Sequence, residues 1–166
     1  MYLYLVQHAV AKSEEEDPSR PLSEKGMSDV TRMASYVQRL RITVAQIVHS
    51  PKLRAKQTAR VLSDYLKPAE GVLESAGLSP VDPPDIWAAR LRETASDTML
   101  VGHLPHLGRL ASLLLCGDAD KNPVAFKMAG VVCLKRDEAG VWSIQWMLTP
   151  EMIEDDRGGG YACDSL

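Results

Sequence analysis

Three short apolar runs constrain this chain more than any other feature: residues 2–8 (Tyr-Leu-Tyr-Leu-Val-Gln-His), 47–50 (Ile-Val-His-Ser) and 98–101 (Thr-Met-Leu-Val), each leading toward a stretch of helical periodicity. Runs that stay apolar almost without interruption, instead of alternating, belong to strands covered on both faces. Strands and helices in alternation predict an α/β fold, a three-layer α/β/α sandwich with a mostly parallel central sheet, whose ligands bind beyond the carboxyl ends of the strands.

The connecting segments fit that plan. The acidic run Glu14 to Asp17 reads as a solvated loop whose like charges water screens. Ser23 caps a helix whose apolar positions Met27, Val30, Met33, Ala34, Val37 and Leu40 form one stripe. Ser50 suits an N-cap and Pro51 the first position of a helix reaching about Leu66. A connection from Lys67 to Pro84 holds four prolines and a short strand near Val72-Leu73, and a helix follows from Ile86 to Thr94. Gly102 to Pro105 reads as a turn before a helix from Leu107 to Leu115 that ends near Gly117.

Val131–Lys135 and Val141–Met147 flank Asp137-Glu138-Ala139-Gly140 as a hairpin, with Trp142, Ile144 and Trp146 alternating against Ser143 and Gln145 as in a half-covered strand. Periodicity is lost from Glu151 onward. Residues 1–150 are therefore expected to form one domain, with no internal repeat, and 151–166 a loosely attached tail.

A formal net charge of −3 with Lys and Arg scattered along the sequence gives no field for nucleic acid or an anionic membrane, so any anion site must be local. No basic leader precedes Met1–Val10, and no run approaches the roughly 20 apolar residues of a membrane helix, so a cytoplasmic protein is expected. Cys116, Cys133 and Cys163 are widely spaced without a CxxC pair and read as reduced thiols.

The strand ends carry the chemistry. His8 follows the first strand, Ser50 with Arg54 just beyond follows the second, and His103 follows the strand at 98–101. Singly, each has an ordinary explanation, a structural histidine or a surface arginine, but a parallel sheet brings all three ends to one edge. Arg54 in the first turn of a helix is opposed by the helix dipole, and an anion bound there would remove the conflict. His103 and His106 stand three residues apart with no third ligand, so no metal site is expected. His49 and His106 have structural readings.

These residues resemble a known family. Gln7-His8-Ala9 stands where histidine phosphatases carry Arg-His-Gly; Ser50-Pro51-Lys52-Leu53-Arg54-Ala55-Lys56-Gln57-Thr58-Ala59 resembles their second-arginine segment, and Val101-Gly102-His103 their second-histidine segment. Arg20-Pro21-Leu22-Ser23-Glu24-Lys25-Gly26 is similar to a stretch of the compact SixA branch, and the match runs in order over about residues 1–148. The resemblance implies a phosphoglycerate-mutase-like fold and a route without metal or other cofactor. In that route neutral His8 attacks phosphorus, and Arg54 and His103 hold the equatorial oxygens. It also implies phosphate contacts for Gln7 and Arg20, though Arg20 reads equally well as a solvent-exposed loop arginine.

Two departures matter. Gln7 in place of arginine loses a charged hydrogen bond worth about 1.5–3 kcal/mol, roughly tenfold to a hundredfold in rate. Without that neighbouring cation, His8 is expected to have a higher pKa than in relatives that keep the arginine, leaving more of it protonated and idle at neutral pH. Ala9 in place of glycine is harmless only if the backbone there avoids positive φ.

An obvious acid is also missing, Asp82 being the candidate in a loop that also offers Asp85. An imidazole leaving group needs little acid assistance. The expected substrate is therefore phosphohistidine on a protein such as a histidine-phosphotransfer domain, with phosphate-like anions also bound. The alternatives are a small-molecule phosphomonoesterase using Asp82, or a weakly active or non-catalytic binder of phosphate or phosphohistidine.

Overall fold

Strands β1 (Tyr2–Gln7), β2 (Gln46–His49), β3 (Val72–Glu74) and β4 (Thr98–Gly102) run parallel in the computed structural model, which describes residues 1–153. Strand β5 (Val131–Arg136) adds antiparallel to β1 and β6 (Trp142–Leu148) antiparallel to β5, giving the order β3-β2-β4-β1-β5-β6. Helices α1 (Glu24–Arg39) and α2 (Leu53–Leu66) cover one face, burying Val30, Met33, Ala34, Val37, Ala59 and Leu62 against Tyr4, Val6, Ile47 and Met99. Helices α3 (Asp85–Glu93) and α4 (His106–Cys116) cover the other, setting Trp87, Leu91, Leu107 and Leu110 against Leu3, Leu5, Val48 and Leu100. Odd and even residues of β1 thus enter different cores, which is why its sequence shows no polar alternation. Each such fully buried side chain contributes about 1.5–3 kcal/mol.

Ser23 caps α1 as expected, its Oγ accepting from the Gly26 amide at 3.1 Å. Gly26 is required there, because a Cβ would lie 1.9 Å from the Val10 carbonyl oxygen. Met27 and Leu40, both assigned to the buried stripe, are instead exposed, at the helix's first turn and just past its end. The start of α2 also differs. Lys52 holds the N-cap position without a side-chain bond and the helix begins at Leu53, while the Ser50 hydroxyl both accepts the Lys52 amide and bonds His103.

The hairpin forms, closed by Asp137 Oδ1 accepting the Val141 amide at 2.8 Å. The uniform alternation expected of β6 is broken by a bulge opposite Cys133/Leu134. Trp146 therefore packs with Tyr4 in one core, Trp142 against the other, and Ile144 stays 45% exposed. The segment beyond residue 150 does not start loose. Pro150–Met152 forms a short 3-10 helix, and Ile153 is buried in the α1/α2 core. The rest of the expected tail, with Cys163, lies outside the described residues. None of the described helices is long and apolar enough to cross a membrane.

Candidate active site

Register positions the site. Gln7 pairs with Gly102 and His49 with Val101, so β1, β2 and β4 end at one edge. The ladder extends one residue further, His8 donating its amide to Gly102 O at 3.0 Å and Ser50 to Val101 O at 3.1 Å. His8, Ser50 and His103 are consequently neighbours although 53 residues separate the last two in sequence.

Hydrogen bonds assign the proton positions. His8 Nδ1 lies 2.7 Å from the Ala9 carbonyl oxygen, which can only accept, so Nδ1 carries the proton. Its Nε2 lone pair then faces Arg54, whose Nε–H donates to it at 3.2 Å. His8 is 8% exposed, and burial, together with the charges of Arg54 and Arg20, lowers its pKa to about 4 against the opposing effect of the Ala9 hydrogen bond. Nε2 is therefore free of a proton at neutral pH. This corrects the expectation of a partly idle His8. Two arginines and burial already do what a residue-7 cation would have done.

His103 lies against His8 with ring centroids 4.8 Å apart, and its pKa is lowered to about 3, first by burial and then by His8, Arg54, Lys52 and His106. Its Nε2 lies 2.5 Å from Ser50 Oγ, which also accepts the Lys52 amide at 3.3 Å. If Nε2–H donated to Ser50, both the hydroxyl proton and the Nδ1 lone pair would be left unpartnered in a buried place. If Ser50 donates, only Nδ1–H is left over. The second arrangement strands fewer groups. Nδ1 has no hydrogen-bond partner among the described residues, so His103 holds an uncommitted buried N–H donor beside His8. Ser50, read from sequence as a helix cap, is thus a side chain that sets the state of His103. Its position at a strand end signals that it shares an edge with His103, but not that the two are bonded.

Arg20 belongs to the site's surroundings, since its charge acts on both His8 and Arg54. Its Nε donates to Lys12 O at 3.3 Å, and its φ of 50° is left-handed, a conformation costing a side-chain-bearing residue about 1–2 kcal/mol. Burial and the Arg20 charge both lower the pKa of Arg54, whose side chain has no carboxylate partner among the described residues. Two cations held near each other without a counter-charge make a place for an anion.

Gln7 is 7% exposed with Oε1 buried and unpartnered. Ala9 does not have positive φ, so it fits without strain, and its amide is held by Thr58 Oγ1 at 3.1 Å. Thr58 in turn donates to Arg54 O at 2.7 Å, while Gln57 Oε1 accepts the Leu22 amide at 2.7 Å. Neighbouring residues of α2 thus tie down the backbone after His8 and the segment carrying Arg20.

Asp82 is occupied in its own loop, accepting the Ser79 amide through Oδ2 at 2.8 Å and the His106 Nδ1–H through its carbonyl at 2.9 Å. The charges that set His8 and His103 are cations and imidazoles, with no carboxylate among them. Among the described residues no three His, Cys, Asp or Glu side chains converge as metal ligands.

The model of the histidine phosphatase superfamily (branch 1) matches residues 3–82. The chain is 24% identical over 155 residues to phosphohistidine phosphatase SixA of Escherichia coli (strain K12), covering 90% of this chain and 94% of that protein. It is 34% identical over 149 residues to an uncharacterized protein of Picosynechococcus sp., covering 85% and 88%. Its fold superimposes on a structure of the protein histidine phosphatase SixA complexed with tungstate with a TM-score of 0.83, at 24% identity, over 93% of this chain and all of that one.

Proposed function

Since the chain belongs to the histidine phosphatase superfamily and is similar to SixA in sequence and fold, we propose that it is a phosphohistidine phosphatase acting on a phosphorylated protein. The observation carrying this reading is a buried histidine, His8, with its proton fixed on Nδ1 and its Nε2 lone pair facing Arg54, which has no carboxylate partner among the described residues. That is an uncharged nucleophile in a cationic setting.

In the proposed route His8 Nε2 attacks phosphorus in line as the bond from phosphorus to the substrate imidazole breaks. The departing imidazole nitrogen takes up a proton. Arg54, Arg20, the Nδ1–H of His103 and the Gln7 amide stabilise the equatorial oxygens as charge builds. Water then attacks the phosphoryl group on His8, releasing inorganic phosphate and restoring the neutral ring.

The leaving group narrows the substrate. An alkoxide needs a general acid, whereas imidazole, with its near-neutral pKa, needs little help. The charges bearing on the two histidines include no carboxylate, and Asp82 is committed to its loop, which supports phosphohistidine over an alkyl phosphate.

Rapid quenching with a 32P-labelled phosphohistidine protein tests the reading. The expected result is acid-labile, base-stable label on His8, with turnover and label both lost in His8→Ala. Tight anion binding without turnover or label would make the chain a binder instead. Vigorous hydrolysis of alkyl phosphates that vanishes in Asp82→Asn would make it a phosphomonoesterase.

A further inference from the structure

The cations that look scattered in sequence are not scattered in space. Lys56 and Arg60, one turn apart on α2, and Lys67 at its C-cap line a groove of about 530 Å³ between α2 and the edge strand β3. All three are exposed, and none makes an ion pair or side-chain hydrogen bond among the described residues, although Asp64 lines the same groove. His49 lines it too. Its Nδ1–H is committed to the Ser50 carbonyl at 2.8 Å, which leaves Nε2 as its only ring nitrogen for an outside partner.

The groove adjoins the catalytic edge. His49 immediately precedes Ser50, and Lys56 lies two residues beyond Arg54 on the same helix. Lys52, exposed at the head of α2, continues the positive ridge toward His103, whose pKa it helps to lower. A macromolecule whose phosphoryl group reaches His8 would find this ridge beside it. In a chain of net charge −3, three unpaired cations along one groove form a local field opposite in sign to the whole.

We propose that the α2/β3 groove is a docking site for an acidic surface, a cluster of Asp and Glu side chains, on the phosphoprotein. This deepens the proposed function and rests on it for the identity of the phosphorylated partner. A nucleic acid suits the groove less well, since no Phe, Tyr or Trp ring lines it for base stacking and Asp64 would repel phosphates. Docking of this kind raises encounter rates and favours matching partners without touching the chemistry.

The test uses a peptide with phosphohistidine flanked by Asp and Glu, a matched peptide with Asn and Gln flanks, and free phosphohistidine. The K56E/R60E/K67E variant reverses the groove, and R92E/K121E/K135E makes the same charge change elsewhere. Circular dichroism and thermal melting check that both fold. The groove variant is expected to raise KM for the acidic peptide about tenfold while keeping kcat. The control variant and the other two substrates should stay near wild-type values, and added salt should erode the wild-type preference for the acidic peptide.

An equal loss in both variants, or none in either, overturns the proposal. Fluorescence anisotropy of the unphosphorylated acidic peptide separates docking from chemistry. If no phosphohistidine substrate turns over but this binding still depends on the groove, the phosphatase reading fails and the acidic docking surface stands. If turnover is normal and binding ignores the groove, the reverse holds. Tighter groove-dependent binding of labelled oligo-dT than of the acidic peptide would also overturn it.

Discussion

Replacing Ser50 by alanine removes one hydroxyl and leaves the Nε2 of His103 buried without a partner. The lost contact is the 2.5 Å bond from Ser50 Oγ, in a position with no solvent access, His103 itself being 1% exposed. Stranding one buried polar partner costs about 1–3 kcal/mol. If Ser50 holds the proton on Nδ1, part of that cost falls on the transition state, where Nδ1–H is to meet a phosphoryl oxygen. The drop in kcat/KM is then about fivefold to a hundredfold. Two measurements made together check it: steady-state kinetics with a phosphohistidine substrate, and 15N NMR of the His103 ring. Wild type should show the proton on Nδ1, Ser50→Ala a mixture of tautomers, and Ser50→Thr a return toward wild type in both. A Ser50→Ala enzyme with unchanged kcat/KM and an unchanged Nδ1–H tautomer would refute the reasoning.

Arg54→Ala should weaken binding of phosphate, vanadate or tungstate by about tenfold or more in calorimetry, whereas Lys56→Ala should change it little, because only Arg54 hydrogen-bonds His8. Equal effects would reduce Arg54 to a general contributor of charge. Stability should decline with acidification below pH about 6.5. His8 and His103, with pKa values of about 4 and about 3, refuse protons that the unfolded chain accepts, so unfolding is favoured as pH falls through that window and these groups have no effect above it. Urea midpoints between pH 7.5 and 4.5 check this (about three pH units), and a His8→Asn variant should show a shallower decline. Gln7→Arg should raise kcat/KM through phosphate contact while leaving the acidic limb of the pH profile in place, since His8 is already neutral at pH 7. A limb displaced by about one pH unit or more would restore the view that residue 7 governs the charge of His8.

What the sequence discloses and what it hides follow from range. Strands buried on both faces leave continuous apolar runs, so the parallel sheet and the shared edge bearing His8 and His103 are legible one residue at a time. The place of Ser50 on that edge is legible too, but its bond is not, because the partner is a histidine 53 residues away, while the local context Ser-Pro imitates a helix cap. The Gln57-Thr58 pair is legible only as a resemblance. Its physical purpose, pinning the Leu22 and Ala9 amides, appears when three segments meet. The β6 bulge is hidden for a related reason: one extra residue exchanges the faces of everything beyond it, and no composition rule marks where.

The missing arginine also looks different along the chain and in space. Judged along the chain, Gln7 removes a charge from a motif that normally carries one, which argues for a weakened or purely binding site. In three dimensions the cations acting on the two histidines are Arg54, Arg20 and Lys52, contributed by the first turn of α2, the loop before α1 and the residue heading α2. A positive field of that origin does not depend on residue 7. The absence of an arginine there removes one directional donor and leaves both the neutral His8 ring and the attraction for an anion. The left-handed backbone of Arg20 fits this, since an unfavourable φ persists only where surrounding contacts enforce it, and here Gln57 holds Leu22 while Arg20 itself bonds to Asp17 and Lys12. On this argument Arg20→Ala should cost this protein more catalytic efficiency than Gln7→Ala, since Arg20 supplies charge and Gln7 only an amide. Kinetics of the two variants with one phosphohistidine substrate decide it, and a larger loss for Gln7→Ala would return the main burden of phosphate binding to the motif position.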